Sequence, residues 1–428
     1  DGNSYSNIYR AGAAYSRYCS QDLAPGTLLK ELHPCKCLIL GIAYFPKILR
    51  LILLTLVEIV LAIVDFIRGL YYRKDFLKEL VFIFARVAVS IGLREMIRFR
   101  ALLDIESGVH LIHANFLGYD EQAHRRSPNS NFAHWTLKGI DRAIRDIQRA
   151  AHRSPYRDYE LILYSDHGQE ATVPFQKSCG RPLEDAVAEA FSESPLAGLP
   201  IHRSSNTELL SNTLGRKSSL ATLFRIKPTD TKTPKRKETI IISAMGPTGQ
   251  IYLPHRPEGK ELESYAEALV RIGGIPLVFM ADDEGRALAF NARGRWRLPE
   301  DRAHVFGQNH PFLDEVADDM RALCHGPFVG DLSLSGWDPE HAPLSFRVEN
   351  GAHGGPGSEE TRGFLLLPDR IHRWHCAHLP HTRERVRGEE LYSIAQHFLQ
   401  RSGSEAERFP ERTPERGARS VQAPRHDV

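Results

Sequence analysis

From Gly108 onward, the 428-residue sequence alternates short apolar runs with amphipathic helical stretches. Residues 109–117 (VHLIHANFL) and 159–164 (YELILY) read as strands, and residues 131–151 between them have helical periodicity. This β-α-β order predicts an α/β sandwich around a mostly parallel central sheet. Further strands are predicted at 239–244, 275–280 and 344–348, and further helices at 182–191, 261–272 and 311–323.

Composition narrows the classes of partner but does not identify one. Hydrophobic residues make up 42% of the chain and charged residues 25%, which is typical of a globular protein and excludes a wholly disordered or multi-span chain. The formal net charge is +2, so there is no overall nucleic-acid-binding signature. Six cysteines over this length are too few for a disulfide framework. Function must therefore be inferred from local sites.

Residues 37–103 are richer in aliphatic side chains than the rest of the chain. Within them, residues 51–64 carry Glu58 as their single charge, and residues 80–93 carry Arg86. Each stretch is shorter than the roughly 20 residues needed to cross a bilayer. Charges at the ends of the first stretch share one stripe with Glu58, which suits a helix lying in a membrane interface. A helical hairpin packed on its own polar edge and a helical insertion packed on a soluble domain are the other interpretations, and a spanning helix is marginal rather than excluded.

Three short segments carry the residues best suited to chemistry. Asp120 and His124 follow the first predicted strand with a spacing of four, so a helical turn would place them on one face. Asp166 and His167 follow the apolar strand 159–164, and His353 lies in a glycine-rich loop. A mixed set of carboxylates and imidazoles binds zinc or manganese, often as a pair of ions. Taken singly, each histidine also fits a polar surface residue or a hydrogen-bonded core residue.

The order of these segments resembles the alkaline phosphatase superfamily over residues 108–368. The resemblance is carried by "NFLGYDEQAHRRSP", "LILYSDHGQE", "GDLSLSGW" and "ENGAHGGPGSEETRGFLLLP". It is closest to the nucleotide pyrophosphatase/phosphodiesterase branch and to bacterial, membrane-associated alkaline phosphatase-like proteins. The resemblance implies an alkaline phosphatase-like α/β/α sandwich with a mostly parallel central sheet and a hydrophobic helical insertion.

The resemblance also implies a site for two divalent metal ions, zinc being the first expectation and manganese the second. Asp120, His124 and His353 would hold one ion, and Asp166 and His167 would belong to the other. The family's nucleophile and one further Asp ligand are expected upstream of residue 1, so the nucleophile stays unassigned.

Two pairs of residues complete the candidate site. The segment that contains Ser4 and Ser6 resembles the one that follows the family's nucleophile, which is why the nucleophile is expected upstream. Ser4 or Ser6 as the nucleophile is the alternative within the chain. Arg125 and Arg126, directly after His124, are candidates for neutralising phosphate charge. A solvated basic turn is the other interpretation of these arginines.

On this basis we expect a metal-dependent hydrolase of phosphoric esters, of the phosphodiesterase or pyrophosphatase type. A phosphomonoesterase, a sulfatase, a metal-dependent phosphosugar mutase and a non-catalytic membrane-anchored binding protein are the alternatives. The expected substrate is a small-molecule or lipid-like phosphate ester, and the expected location is a bacterial membrane, on either side. The predicted domains are a remnant of the catalytic domain (1–36), the hydrophobic insertion (37–103), the catalytic domain (104–400) and a disordered tail (401–428).

Overall fold

The computed structural model describes residues 2–7, 13–17, 88–203, 239–378 apart from 256, 258 and 283, and 385–405, with twelve separate positions between 49 and 67. These residues form two compact units. The first unit is Asp1–Glu160 with His167–Gly363, and the second is Leu161–Asp166 with Phe364–Val428. The predicted polar loop at 204–237 lies outside the described residues.

Short strands occur along the whole described chain. They are β1 (Asn3–Tyr5), β2 (Tyr15–Arg17), β3 (Ile112–Ala114), β4 (Leu163–Tyr164), β5 (Glu170–Ala171), β6 (Val173–Pro174), β7 (Ile201–Arg203), β8 (Ile240–Met245), β9 (Thr248–Tyr252), β10 (Leu277–Ala281), β11 (Ala287–Asn291), β12 (Gly294–Leu298), β13 (Leu332–Ser335), β14 (Leu344–Ser345), β15 (Gly351–Ala352) and β16 (Leu365–Leu366).

Helices lie between some of these strands, and a π-helical turn at Ala88–Leu93 leads into the first of the helices listed next. They are α1 (Arg94–Glu106), α2 (Gly118–Arg126), α3 (Asn131–Ala151), α4 (Phe175–Cys179), α5 (Leu183–Ala190), α6 (Gly259–Arg271), α7 (Arg302–Phe306), α8 (Leu313–Cys324), α9 (Asp369–His378) and α10 (Gly388–Glu405).

The largest described sheet has seven strands in the order β12-β11-β10-β13-β9-β8-β7. It confirms the α/β class, but its strand directions differ from the predicted mostly parallel arrangement. Within this sheet only β7 and β8 pair in parallel, and the other five pairings are antiparallel. The physical reason is that tight hairpins join β8 to β9 and β11 to β12, and a hairpin reverses the chain where a helical crossover would keep its direction.

Helices pack on both faces of this sheet at β10, which explains why β10 is continuously apolar. In β10, Val278 and Met280 belong to the core shared with α5 and α6, while Leu277 and Phe279 belong to the core shared with α7 and α8. Successive side chains of a strand point to opposite faces, so a strand with helices on both sides needs no polar alternation. The predicted α/β/α layering is present in this part of the chain.

A separate three-stranded sheet, in the order β2-β1-β3, is wholly parallel. It leads into α2, and α2 packs against α3. Helix α3 has the bounds predicted from the sequence, because Ser130 caps its first turn by accepting from the amide of Ala133 at 3.2 Å. The predicted strand 109–117 is shorter in the structure, since β3 pairs with only the three residues of β1.

The predicted domain boundaries stay predictions. Helix α1 spans residue 103, and the two compact units divide the chain at other positions than the predicted domains do. Helix α10 runs to Glu405, past the predicted start of the tail at 401, and residues 406–428 lie outside the described part. The described positions between 49 and 67 are helical. Among the described residues, no helix has the length and apolar character required to cross a membrane.

The second unit contains β4, β16, α9 and α10. β4 pairs antiparallel with β16, with Tyr164 opposite Leu365. The Ser165 hydroxyl accepts from the Phe364 amide at 3.0 Å next to this pair. The predicted strand 159–164 is therefore reduced to its last two residues, because β16 offers only two pairing positions.

Candidate metal centre

Helix α2 brings the first predicted pair of ligands together. Asp120 and His124 are one helical turn apart on the same face, and Nε2 of His124 lies 3.3 Å from Oδ1 of Asp120. Both side chains are about three-quarters buried. The sequence spacing alone was sufficient to predict this contact, because it needs only that the segment be helical.

Pairing between β5 and β15 brings the other two histidines to the same place. Glu170 lies opposite Ala352 in this antiparallel pair, so the residues that flank the two strands, His167 and His353, lie at one end of it. Their imidazole rings stack with centroids 3.5 Å apart. The ring of His353 is also 4.9 Å from that of His124, and its Nε2 lies 3.4 Å from Oδ1 of Asp120.

Asn350 joins α2 to β15. Its amide nitrogen donates to the carbonyl of His124 at 2.8 Å, and its side-chain amide donates to the carbonyl of Arg125 at 2.7 Å. Carbonyl groups at the end of a helix have no partner within the helix, so these bonds satisfy two of them. They also hold the end of α2 directly beside the strand that leads to His353.

The donor atoms of this cluster fit a cation. One ligand atom each from Asp120, His167 and His353 can be chosen so that all lie within 4.8 Å of one another. Oδ1 of Asp120 is buried and accepts no hydrogen bond within the described part of the chain, although two imidazole nitrogens lie within 3.4 Å of it. A buried carboxylate oxygen without a hydrogen bond is costly, and a bound metal ion would satisfy it.

Backbone carbonyl groups orient two of the imidazoles. Nδ1 of His124 lies 2.8 Å from the carbonyl oxygen of Gly351, and Nδ1 of His167 lies 2.8 Å from that of Gly168. A carbonyl oxygen can only accept, so both Nδ1 atoms carry the hydrogen. In each neutral ring the free lone pair is then on Nε2, the atom that can bind a metal.

Charges around the cluster shift the pKa values of both α2 residues. Burial lowers the pKa of His124, but its hydrogen bond to Glu349 and the charge of Asp120 outweigh this and raise it to about 9. Burial raises the pKa of Asp120, but the neighbouring His353, His124 and His167 outweigh this and hold it below its usual value. Without metal, the pair is therefore an imidazolium beside a carboxylate.

Glu349 supports His124 from the side away from Asp120. Its Oε2 lies 3.4 Å from Nδ1 of His124, and its Oε1 accepts from the hydroxyl of Ser345 at 2.8 Å. The Glu349 side chain is only 8% exposed. A carboxylate behind a metal-binding histidine holds the ring in place and makes it a stronger ligand.

Two buried carboxylates hold the loop that follows His353. Glu360 accepts from the amides of Gly355 and Gly357, both at 2.8 Å, and Glu170 accepts from the amide of Glu359 at 2.6 Å. Burial raises the pKa of Glu360 to about 7. The glycines are required here, because a Cβ at either position would lie within 2.8 Å of a Glu360 oxygen.

Gly168 lies where two backbone segments approach closely. A Cβ at Gly168 would collide with the backbone oxygens of Glu359 and Arg362. Its amide donates to the carbonyl of Glu360 at 2.8 Å, and its φ is not positive. Gly168 therefore allows close packing of two backbone segments beside His167.

Several predicted site residues are not tested by this geometry. Asp166 belongs to the second unit, so its role as a ligand stays a prediction. Arg125 and Arg126 are half-buried at the end of α2, and their phosphate-binding role also stays a prediction. Ser4 lies in β1, and Ser6 follows it with a φ of 58° and a buried hydroxyl that has no hydrogen-bond partner among the described residues.

Sequence reasoning did not single out Glu349, Glu360 or Glu170, although two of them lie in the quoted segment 349–368. Their roles depend on residues far away in the chain, such as the 189 positions that separate Glu170 from Glu359. A sequence pattern that indicates such residues is a carboxylate in a glycine-rich loop beside a histidine. The backbone amides of such a loop have no partner in a helix or sheet, so they need nearby acceptors such as a carboxylate.

Comparison with known proteins gives a family match over part of the chain. A search of curated proteins finds none that matches the chain. Residues 82–233 match the family model described as type I phosphodiesterase / nucleotide pyrophosphatase. The matched stretch contains four of the five predicted ligands, and His353 lies beyond it. Over residues 82–233, the chain is thus similar to the type I phosphodiesterase / nucleotide pyrophosphatase family, in agreement with the resemblance to the alkaline phosphatase superfamily seen in the sequence.

Proposed function

We propose that the chain forms the metal-binding part of a phosphodiesterase or pyrophosphatase that uses two divalent metal ions. The observation that carries this proposal is the cluster of Asp120, His124, His167 and His353, with an acceptor oxygen of Asp120 left without a hydrogen bond. The family match supports hydrolysis of a phosphoester or nucleotide. Zinc is the first choice of metal because imidazole and carboxylate ligands suit it, and manganese is the second.

The residues of the site have distinct roles in binding and orientation. A divalent cation held by the cluster would supply Lewis-acid polarisation of a phosphoryl oxygen and compensate its charge. Gly351 and Glu349 orient His124, and the Glu360 and Glu170 carboxylates hold the loop that presents His353. Asp166 as a ligand of the second ion, and a nucleophile upstream of residue 1, belong to the proposal on the strength of the resemblance.

Metal analysis tests the part of the proposal that concerns metal binding. The protein is loaded with zinc or manganese, desalted and measured for bound metal, and about two ions per chain is the expected result. Asp120→Ala and His353→Ala should each lower the metal content. His134→Ala, an exposed histidine on α3, is the matched control and should leave it unchanged. A protein that binds no metal under any of these conditions would refute the proposal.

Substrate discrimination tests the reaction type. Hydrolysis rates of bis(p-nitrophenyl) phosphate, p-nitrophenyl phosphate and p-nitrophenyl sulfate are compared with the metal-loaded protein and with its upstream-extended form. Preference for the diester supports the proposal, and preference for the monoester or the sulfate would replace it with the corresponding alternative. Metal binding without turnover of any ester in the extended form would support a binding protein instead. Diester hydrolysis by the chain alone that survives loss of both Ser4 and Ser6 would contradict the upstream placement of the nucleophile.

We also propose that residues 37–103 contact a membrane and that the substrate is a lipid-like or membrane-proximal phosphate ester. Nine described helical positions between 49 and 67 carry exposed Leu, Ile or Val. They are Leu49, Ile52, Leu53, Leu56, Val57, Val60, Ile63, Val64 and Ile67. At about 100° per residue, helical spacing places these nine positions within an arc of about 140°. An exposed apolar face of this width suits a helix lying in the membrane interface, on either side of a bacterial membrane.

Vesicle flotation tests the apolar contact. Replacing Ile52, Leu56 and Ile63 together by Gln should reduce binding to neutral phosphatidylcholine vesicles, because these three side chains are 45–53% exposed on the apolar face. Phe328→Gln is the matched control, since Phe328 is 88% exposed but lies outside the segment. Equal flotation of the triple variant and the control would contradict membrane contact through this face.

A further inference from the structure

Helices α1 and α3 form a groove of about 650 Å³ that the proposed reaction does not use. Its lining comes from the π-helical turn at Ala88–Leu93, from α1 and from α3 with the residues just after it. None of the four clustered residues Asp120, His124, His167 and His353 lines it. The groove is therefore a separate surface of the first unit.

The groove is strongly basic. Seven arginine or lysine side chains line it against three acidic ones. On α3, Lys138, Arg142, Arg145 and Arg149 recur with spacings of four, three and four, so at about 100° per residue they lie within an arc of about 60°. This face of α3 is one positive stripe along the groove.

Part of the positive charge is already neutralised within the protein. Arg98 on α1 pairs with Asp146 at 2.8 Å and with Glu95 at 2.6 Å, and Arg145 pairs with Asp141 at 2.9 Å. Lys138, Arg142 and Arg149 are exposed and form no ion pair with another described residue. Three cations on one helical face are therefore available to a ligand.

Apolar side chains lie among these charges. Trp135 on α3 is 38% exposed, and Phe99 and Leu103 on α1 are 36% and 40% exposed. Trp135 precedes Lys138 by three residues and so lies beside the positive stripe. An aromatic ring next to cations suits the boundary between hydrocarbon and headgroups, where the ring contacts the acyl region and the charges contact phosphate.

We infer that this groove is a docking surface for an anionic phospholipid membrane. Charge complementarity favours that occupant. The three cations are spaced along one helical face, and the surface of an anionic bilayer carries many phosphate groups that can contact all three at once. Position in the chain favours it too, since α1 overlaps the carboxyl-terminal end of the segment 37–103, whose positions 49–67 carry exposed apolar side chains. The inference adds a charge-dependent contact to the apolar contact proposed above, and the two are measured separately.

The test compares two kinds of vesicle with the full chain. Partition coefficients are measured for phosphatidylcholine vesicles and for vesicles that also contain phosphatidylglycerol, and their ratio is the anionic preference. Wild-type protein should prefer the anionic vesicles, and the preference should weaken as salt is added. Removing Lys138, Arg142 and Arg149 together by Gln substitution should lower the ratio by about fivefold for each side chain, or roughly 100-fold in all.

A matched control loses the same charge elsewhere. Lys177, Lys260 and Arg271 are exposed basic residues on α4 and α6, and replacing all three by Gln should leave the anionic preference close to that of wild type. Binding to neutral vesicles reports the apolar contact alone and should be the same in both triple variants. Circular dichroism of each variant excludes loss of fold as the cause.

Three results would overturn the inference. One is a wild-type protein with no preference for anionic vesicles. Another is an equal loss of preference in the groove variant and the control, which would mean that total charge alone matters. The third is a short RNA that binds more tightly than the vesicles at equal phosphate concentration and loses that binding in the groove variant, which would assign the groove to nucleic acid.

Discussion

Replacing Glu349 by Gln should change how metal binding depends on pH. Nδ1 of His124 contacts the Gly351 carbonyl at 2.8 Å and the Glu349 carboxylate at 3.4 Å, while Nε2 faces Asp120 at 3.3 Å. The nearby carboxylates raise the pKa of His124 to about 9, against an ordinary value of 6.5. At neutral pH the metal-free ring therefore carries a proton on Nε2, the atom that a metal needs.

The size of the effect follows from this pKa. A metal ion must displace one proton, so its affinity should rise about tenfold per pH unit up to about pH 9. At pH 7 the proton weakens binding by about 100-fold, or about 2.7 kcal/mol, relative to the limit above pH 9. In Glu349→Gln the pKa of His124 should fall toward 6.5, so affinity should be nearly flat between pH 7 and pH 9. The limiting affinity should itself fall by about 10- to 100-fold, because the ring loses its supporting carboxylate.

Isothermal titration calorimetry measures both quantities. Zinc is titrated in competition with a chelator at several pH values, and proton release is obtained from buffers of different ionisation enthalpy. At pH 7, His124 should release about one proton per metal in wild type and about a quarter of a proton in the variant. Glu340→Gln is the control, because Glu340 is an exposed carboxylate paired with Arg293. A variant that keeps the wild-type pH slope would refute the assignment of that proton to His124.

Three further predictions concern stability and the geometry of the cluster. Glu360 has a pKa raised to about 7, so its contribution to folding is complete below pH 4.5 and is lost as pH rises through 7. This group alone should make metal-free protein about 2 kcal/mol less stable to urea at pH 8 than at pH 5, and His124, with a pKa of about 9, should add a further loss over the same range. Glu360→Gln should therefore reduce the difference by about 2 kcal/mol and leave the His124 part. An unchanged slope would contradict this. Gly351→Ala should abolish metal binding in a folded protein, because the Cβ would collide with the Ala123 carbonyl, and equal metal content would refute it. Phe279→Ala should cost about 3–5 kcal/mol of unfolding free energy, against less than about 0.5 for the exposed Phe328→Ala, and similar losses would count against the described core.

Local features of the fold could be predicted from the sequence. The bounds of α3 follow from a serine cap and a regular apolar face, and the contact between Asp120 and His124 follows from their spacing on a helix. The strand directions of the large sheet could not be predicted in the same way. β9, β11 and β12 were not recognised as strands, although the Gly246-Pro247 turn between β8 and β9 has hairpin chemistry, with Gly246 at a φ of 61°. Without those hairpins, the apolar runs suggested helical crossovers and parallel strands.

By itself, the sequence determined which side chains are available for metal chemistry: a carboxylate and a histidine one helical turn apart, and two more histidines beside short strands. Tertiary structure decided which of them meet. His124 and the Gly351 carbonyl are 227 positions apart, and only the β5–β15 pairing and the Asn350 bonds to the end of α2 bring them within 2.8 Å. Tertiary structure also assigned roles to Glu349, Glu360 and Glu170, because the function of a buried carboxylate is set by the donors that long-range packing places around it.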